Sequence, residues 1–230
     1  MGFESGALTN AAEGPSTGPS TNLAPAGAAI FDLDGTLADT MPVHFSAWKE
    51  VATRHHLVFP ETRFYALGGV PTVKIAALLI AEQGLGLDPV AISREKEEAV
   101  LSRFPEIRPI PAVVELARRY RASGKLAIAS GGGREMVERT LRQIGLRDWF
   151  TVVVAAEDTA RHKPEPDVFL EAARRLGVSP AECTVYEDTD LGLEAARRAG
   201  MRGVDVRPLY ASGPSLEVPA AASSADGANS

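Results

Sequence analysis

Short apolar runs alternate with helical patterns along much of the chain. Five runs predict strands, namely AAIF at 28–31, LAIAS at 126–130, TVVVAA at 151–156, CTVYE at 183–187 and GVDV at 203–206. Between the later runs, apolar residues recur at the spacing of an amphipathic helix, as in PDVFLEAARRLG and LGLEAARRAG. Strands that alternate with helices favour a parallel sheet covered by helices on both faces. The pattern therefore predicts an α/β fold built on a doubly wound parallel sheet.

Residues 42–108 interrupt this alternation with helical patterns alone. MPVHFSAWKEVATRHH places Val43, Ala47 and Val51 near one face of a helix, and VPTVKIAALLIAEQG and ISREKEEAVLSRF predict two more helices. We therefore predict a helical insert over residues 42–108, just beyond the first strand. The remaining residues, 28–41 and 109–210, would form the core domain.

Both ends of the chain are poor in large apolar side chains. Residues 1–27 and 211–230 are rich in Gly, Ser, Pro, Thr and Ala. Such segments bury too little apolar surface to offset the entropy that ordering costs. We expect both segments to be disordered tails.

Composition and charge exclude several classes of protein. The formal net charge is -6, so the chain has no basic surplus with which to bind nucleic acid. No run of eighteen apolar residues is present, so no membrane span is expected. The only cysteine is Cys183, which fits a reducing compartment. We therefore expect a cytoplasmic protein that contacts neither nucleic acid nor membrane.

Polar side chains cluster where the predicted strands end. In chain order they are Asp32, Asp34, Ser130 with three following glycines, Asp158, Lys163, Glu187, Asp188 and Asp190. Ligands of open parallel sheets bind at the carboxyl ends of the strands, so we expect these groups to converge on one edge. Clustered carboxylates that have no His or Cys among them favour a hard cation such as Mg2+. The Ser-Gly turn offers a hydroxyl and N–H groups to an anion, and a lysine adds positive charge. Together these groups suit phosphoryl transfer.

Each of these elements also has a purely structural interpretation. Asp-x-Asp and SGGG usually form solvated or flexible turns, and a Lys-Pro pair commonly leads into a helix. The acids of EDTD would be stabilised at a helix N-terminus by the dipole. These interpretations do not explain why all the elements occur in order, each after an apolar run. The joint pattern therefore favours a functional site.

The four motifs resemble the haloacid dehalogenase-like (HAD) hydrolase superfamily over residues 28 to about 208. They are DLDGT at 32–36, the serine of ASGGG, the lysine of HKPEPDVF, and YEDTDLGLEAARRAGM at 186–201. The resemblance implies a Rossmann-like core with a helical cap inserted after the first strand. HFSAWKE at 44–50 is similar to the β-phosphoglucomutase-like branch. GVPTVKIA, SREKEEAV and the VDVR ending are similar to bacterial fructose-1-phosphate phosphatases.

The resemblance implies roles for four acids. Asp32 matches the nucleophile, which is also a metal ligand. Asp34 matches the general acid/base, and its main-chain carbonyl matches a second ligand. Asp188 matches the acidic metal ligand, with Glu187 as a nearby helper. Because Asp34 must donate a proton while Asp32 stays ionised, we expect their environments to separate the two pKa values.

The remaining matches concern the phosphate and the cap. Ser130 and Gly131 match the phosphate contacts, and Lys163 matches the lysine that bridges nucleophile and phosphate. His44 matches a cap histidine close to the acid/base, and Lys96 matches a cap lysine. The resemblance also implies Mg2+ as the cofactor and a monomer as the default state.

Two cap positions bear on the reaction. The family's mutases carry an arginine where this chain has Thr72 and a basic residue where it has Gly68. Loss of a bidentate arginine removes a strong phosphate anchor. We therefore predict a Mg2+-dependent phosphatase that acts through an aspartyl-phosphate on fructose 1-phosphate or a related hexose phosphate.

Three alternatives stay open from the sequence. One is a β-phosphoglucomutase-type phosphomutase, and another is a catalytically idle HAD domain used as a binding module. A phosphonate-cleaving enzyme is the third, and it would need a cap lysine that forms a Schiff base.

Overall fold

The structure is a computed structural model that describes residues 27–210. The predicted disordered tails, 1–27 and 211–230, lie outside the described residues except for Gly27. Within the described part of the chain, every helix is too short or too polar to cross a membrane.

One parallel sheet organises residues 27–210. Its strands are β1 (Ala28–Phe31), β2 (Leu126–Ala129), β3 (Val152–Val154), β4 (Cys183–Glu187) and β5 (Arg202–Asp205), in the spatial order β3-β2-β1-β4-β5. At the centre, Phe31 of β1 pairs with Ile128 of β2 and with Tyr186 of β4. The predicted strands are all present, and the predicted α/β fold class is confirmed.

The helices follow the predicted order with two additions. They are α1 (Met41–Arg54), α2 (Glu61–Ala66), α3 (Thr72–Glu82), α4 (Pro89–Ser102), α5 (Pro111–Arg121), α6 (Arg134–Gln143), α7 (Asp167–Leu176) and α8 (Asp190–Arg198). The sequence pattern did not single out α2 or α5. Helix α2 has only 6 residues, which is too short to display a helical period.

Alternation of side chains along β1 sets the two faces of the core. Ala29 and Phe31 join one apolar cluster, which includes residues of α5 and α6. Ala28 and Ile30 join the other, which includes residues of α7 and α8. This is the period of two expected for a strand that is buried on both faces.

Helices α1 to α4 have an apolar cluster of their own. Trp48, Phe64, Leu79 and Ile92 belong to it, and each is at most 5% exposed. We call the part of the chain formed by α1 to α4 the cap. This separate cluster is compatible with the predicted cap at 42–108, whose boundaries stay a prediction.

Candidate active site

Acids from the ends of β1 and β4 lie next to one another. The main-chain N–H of Asp32 donates to the carbonyl of Tyr186 at 3.0 Å, which extends the pairing of the two strands. One carboxylate oxygen from each of Asp32, Glu187 and Asp188 lies within 4.8 Å of the others. The strand ends therefore bring together three of the acids that were expected to converge.

Lys163 lies at the centre of this acidic cluster. Its Nζ donates to Asp32 Oδ1 at 2.5 Å and to Glu187 Oε1 at 2.6 Å. All three side chains are buried. Burial acts to lower the pKa of Lys163, but the two carboxylates outweigh it and raise that pKa above its usual range. Lys163 is therefore held as a cation beside Asp32.

Glu187 uses both of its oxygens within the protein. Oε1 accepts from Lys163, and Oε2 accepts from the N–H of Thr189 at 2.6 Å and from its hydroxyl at 3.0 Å. A Cβ at Gly192 would lie 1.9 Å from Oε1, so the glycine makes room for this carboxylate. These contacts indicate that Glu187 positions Lys163 and does not offer a free oxygen to a ligand.

Asp188 is fixed by the turn that follows β1. Thr36 Oγ1 donates to Asp188 Oδ1 at 2.8 Å. Gly35 has φ +80°, and a Cβ there would lie 2.3 Å from Asp188 Oδ2. Burial, together with the charge of Glu187, raises the pKa of Asp188 to about 7. The protein thus holds this carboxylate in a place that disfavours its charge.

The donor chemistry of this cluster fits a hard divalent cation. Every available ligand atom is an oxygen, and Lys163 pairs with only two of the three carboxylates, those of Asp32 and Glu187. Burial raises the pKa of Asp32 well above its usual value; Lys163 opposes that shift, and Glu187 and Asp188 add to it. A cation bound by Asp32 and Asp188 would favour the charged form of both. The structure thus contains a carboxylate cluster that could bind a metal.

Asp34 faces the cap instead of this cluster. Its Oδ1 accepts from Thr40 Oγ1 at 2.8 Å and lies 3.5 Å from His44 Nε2. Burial acts to raise the pKa of Asp34, but the hydrogen bonds from His44 and Thr40 and the charge of Lys96 outweigh it and lower the pKa to about 2.

The protein groups alone shift the two pKa values in directions opposite to the expected order, which stays a prediction for the site with its cation. We predicted that Asp34 would carry the proton and Asp32 would be ionised. Instead, the contacts of Asp34 favour its carboxylate form, whereas desolvation favours the neutral form of Asp32. As arranged here, Asp34 is ready to accept a proton and not to donate one.

Cap residues form a polar network above Asp34. Lys96 is 2% exposed, and its Nζ lies 2.6 Å from His44 Nδ1, 3.1 Å from Glu97 Oε1 and 3.4 Å from Thr72 Oγ1. Burial lowers the pKa of Lys96. An ammonium can only donate, so its contact with Nδ1 assigns the ring proton of a neutral His44 to Nε2, the atom that faces Asp34.

Ser130 and the glycines after it form the predicted turn at the end of β2. Ser130 is 1% exposed, and its Oγ accepts from the N–H of Gly132 at 3.0 Å. The turn lines a cavity of about 540 Å3. Asp32 and Asp34 line the same cavity from the core, and His44, Thr72, Lys96 and Glu97 line it from the cap.

The cap touches the core directly at two glycines of the loop before α3. A Cβ at Gly131 would lie 2.3 Å from the carbonyl oxygen of Gly69, and a Cβ at Gly68 would lie 2.9 Å from Thr189 Cγ2. A Cβ at Gly69 would lie 3.5 Å from Lys163 Cδ. The loop therefore lies close to three of the four sequence motifs, namely those that contain Gly131, Lys163 and Thr189.

Two of the acids after the strands pair with arginine and lie outside the cluster. Asp158 accepts from Arg134 and, at 2.9 Å, from Arg175. Asp190 accepts from Arg207 at 2.9 Å. The expectation that all the strand-end acids converge was thus too broad.

Several residues of the site were not assigned a role from the sequence. Thr36 and Thr40 follow Asp32 and Asp34 closely in the chain. Their hydroxyls could have been identified from the sequence as hydrogen-bond donors to the carboxylates of the site. Glu97 and Gly69 offered none, because their partners come from distant parts of the chain.

A carboxylate cluster at the strand ends of a doubly wound sheet, closed by a helical cap, is the arrangement of a capped hydrolase that acts on phosphate. A family model described as haloacid dehalogenase-like hydrolase matches residues 27–200, and the chain belongs to this family. The chain is 43% identical to the fructose-1-phosphate phosphatase YqaB of Escherichia coli (strain K12) over 181 residues, which are 78% of this chain and 96% of the relative.

Solved structures agree with this assignment. A β-phosphoglucomutase from Clostridium difficile superposes with a TM-score of 0.72 at 25% identity, covering 79% of this chain and 84% of that chain. A CbbY from Rhodobacter sphaeroides in complex with xylulose-(1,5)bisphosphate has a TM-score of 0.70 at 28% identity, covering 78% and 85%. The predicted family is confirmed, and the comparisons support the predicted class of enzyme, a phosphoric monoester hydrolase.

Proposed function

We propose that this protein is a Mg2+-dependent phosphatase of hexose phosphates that acts through an aspartyl-phosphate on Asp32. The observation that carries the proposal is the buried contact of 2.5 Å between Asp32 and Lys163, beside Asp188 and below the cap. A carboxylate held against a fixed cation is suited to attack phosphorus, because the cation offsets the charge on both partners.

The first step transfers the phosphoryl group to the protein. Asp32 attacks phosphorus in line with the leaving sugar oxygen. Lys163, the hydroxyl of Ser130 and the main-chain N–H of Gly131 contact the phosphate oxygens and offset their charge. Asp32, Asp188 and the main-chain carbonyl of Asp34 would hold Mg2+, which supplies positive charge that keeps the nucleophile ionised and neutralises the phosphate.

Asp34 handles the protons of both steps. A phosphate dianion that binds next to it adds negative charge, which raises its pKa and favours proton uptake. Protonated Asp34 then donates to the leaving sugar oxygen. In the second step the ionised carboxylate takes a proton from the water that hydrolyses the aspartyl-phosphate. His44 Nε2, at 3.5 Å from Asp34, stabilises the carboxylate form between the two transfers.

The substrate is proposed to be a hexose monophosphate, with fructose 1-phosphate as the first candidate. The relative at 43% identity bears that name, and a cavity of about 540 Å3 is of the size that binds a small molecule. Phosphomutase activity is the second candidate, because a structural neighbour is named a β-phosphoglucomutase. The hydroxyl of Thr72 at the position of the mutases' arginine favours transfer to water.

A substrate screen tests the proposal. The full chain is purified, stripped with EDTA, and assayed for phosphate release from p-nitrophenyl phosphate and a panel of hexose phosphates, with and without added Mg2+. We expect Mg2+-dependent release that Asp32→Asn abolishes. Release that persists in EDTA, or that survives Asp32→Asn, would refute the mechanism. Conversion of hexose 1-phosphate to 6-phosphate without net release would favour the mutase.

The assay also tests the idle binding module, which would release no phosphate. A cytoplasmic location and a monomeric state stay predictions. Size-exclusion chromatography with light scattering checks the second of these.

A further inference from the structure

A carboxylate, Glu97, lies at the cap end of the substrate cavity. Its Oε1 accepts from Thr72 Oγ1 at 2.9 Å and from Lys96 Nζ at 3.1 Å. Glu97 and its two partners all line the cavity. The polar part of the cap wall is thus built around a negative charge, although the family's mutases have a cationic anchor here.

The charge of Glu97 cancels that of Lys96 within this wall. Lys96 is buried, and the carboxylate is its only anionic partner within hydrogen-bond distance among residues 27–210. Lys74 also lines the cavity, but this lysine is exposed, so its ammonium can stay hydrated. Among residues 27–210, the cap end of the cavity therefore offers no desolvated, unneutralised cation to a second phosphate.

The second oxygen of the same carboxylate is unused. Within residues 27–210, Glu97 Oε2 is shielded from solvent and has no hydrogen-bond partner. An unpaired buried acceptor is costly, and a donor that reaches it recovers that cost. Rotation about the last torsion of a glutamate is broad and exchanges its two equivalent oxygens, so whichever oxygen accepts from Thr72 and Lys96, the other stays available to a donor on a ligand.

We propose that Glu97 is a specificity-determining residue that accepts a hydrogen bond from a sugar hydroxyl and excludes a second phosphate group. This inference rests on the proposed hexose phosphatase function. A hydroxyl can donate to the carboxylate, whereas a phosphate dianion finds no net positive charge in the wall and is repelled by the carboxylate at close range. The hydrogen bond from the hydroxyl and the repulsion of the second phosphate together select monophosphorylated polyols over bisphosphates.

Glu97→Gln is the matched substitution, because glutamine keeps the shape and one acceptor for Thr72 and Lys96 but loses the charge. The neighbouring Glu98 is exposed on the same helix, so Glu98→Gln removes an equal charge away from the cavity. Each protein is assayed with fructose 1-phosphate and p-nitrophenyl phosphate as substrates. Fructose 1,6-bisphosphate serves as an inhibitor of p-nitrophenyl phosphate hydrolysis.

In Glu97→Gln we expect kcat/KM for fructose 1-phosphate to fall by about ten- to a hundredfold relative to that for p-nitrophenyl phosphate. The inhibition constant of the bisphosphate should fall by about tenfold or more. Glu98→Gln should change neither ratio. An equal loss with both substrates would mean that Glu97 only positions Lys96 and His44, and would overturn the proposal. Unchanged ratios would overturn it as well.

The wild-type protein separates this test from that of the proposed function. If it released no phosphate from any hexose phosphate in Mg2+, the proposed function would fail. If it did release phosphate but Glu97→Gln moved neither ratio, only the assignment to Glu97 would fail.

Discussion

Substitution of Gly131 by alanine tests whether the observed contact between cap and core belongs to the catalytic state. The new Cβ would lie 2.3 Å from the carbonyl oxygen of Gly69, whereas ordinary contacts begin near 3.4 Å. The obstructing atom is main chain, so a side-chain rotation cannot relieve the overlap. The main-chain N–H proposed to contact phosphate is retained, and Gly131 has no positive φ that alanine would disfavour.

The overlap sets the expected size of the effect. Its relief requires the cap loop to withdraw by about 1 Å, and a displacement of that size away from the chemistry can cost about a hundredfold in rate. We therefore expect Gly131→Ala to lower kcat/KM for fructose 1-phosphate by about a hundredfold, with little change in the free energy of unfolding. Steady-state kinetics and urea denaturation measure the two quantities.

Gly86→Ala is the matched control. Gly86 lies in the cap and, like Gly131, has no positive φ, but a Cβ there would meet nothing within 4 Å. We expect it to keep wild-type kinetics. If Gly131→Ala kept them too, the approach of Gly69 would not be part of the catalytic arrangement, and the reasoning from this contact would be wrong.

Three further predictions concern the charged groups of the site. Asp34→Asn should lower turnover by about 10²–10⁴-fold, as measured by phosphate release, and near wild-type turnover would discard its role in proton transfer. Lys163→Met should lower the free energy of unfolding by about 3–5 kcal/mol, as measured by urea denaturation, because it leaves Glu187 buried without its cation. Lys125→Met, at an exposed lysine, is the control, and an equal loss of stability in the two variants would contradict this prediction. The pKa of Asp188 is 3.8 in the unfolded chain and about 7 in the folded protein, so the folded state binds more protons between these two pH values. Stability should therefore fall as the pH rises through this range. The melting temperature of EDTA-treated protein, measured between pH 4.5 and about 7.5, checks this. We expect Asp188→Asn to flatten the dependence of melting temperature on pH. A wild-type melting temperature that rose over the same range would refute the prediction.

The core of the site could be predicted because its groups share one simple placement. Asp32, Lys163 and Asp188 each follow an apolar run, and parallel strands end at a common edge. The local sequence pattern is therefore enough to predict that these three side chains lie close together. The same rule also predicted that Asp158 and Asp190 would join the acidic cluster. That prediction was wrong because the rule takes no account of the arginines that pair with these two acids in space.

Contacts between distant segments could not be predicted in this way. Glu97 meets Thr72 across 25 positions of the chain, and Gly69 meets Gly131 across the boundary between cap and core. The pKa of Asp34 depends on His44 and Lys96, whose distances to it arise only when the cap is folded. The sequence identified the titratable groups, but burial and neighbours decide which of them carries the proton.

At the two cap positions where the resemblance implies a basic residue in mutases, the structure disfavours such a residue for two different reasons. At Gly68 a side chain would meet Thr189 at 2.9 Å, so the space is taken by the core. At Thr72 the hydroxyl donates to Glu97, and an arginine placed there would find that carboxylate first. Thr72→Arg alone should therefore give little gain in affinity for fructose 1,6-bisphosphate, whereas Thr72→Arg combined with Glu97→Gln should give more than the product of the two single effects. A competition assay against p-nitrophenyl phosphate measures this coupling. If Thr72→Arg alone gave the full gain, Glu97 would not control the charge of the cap wall.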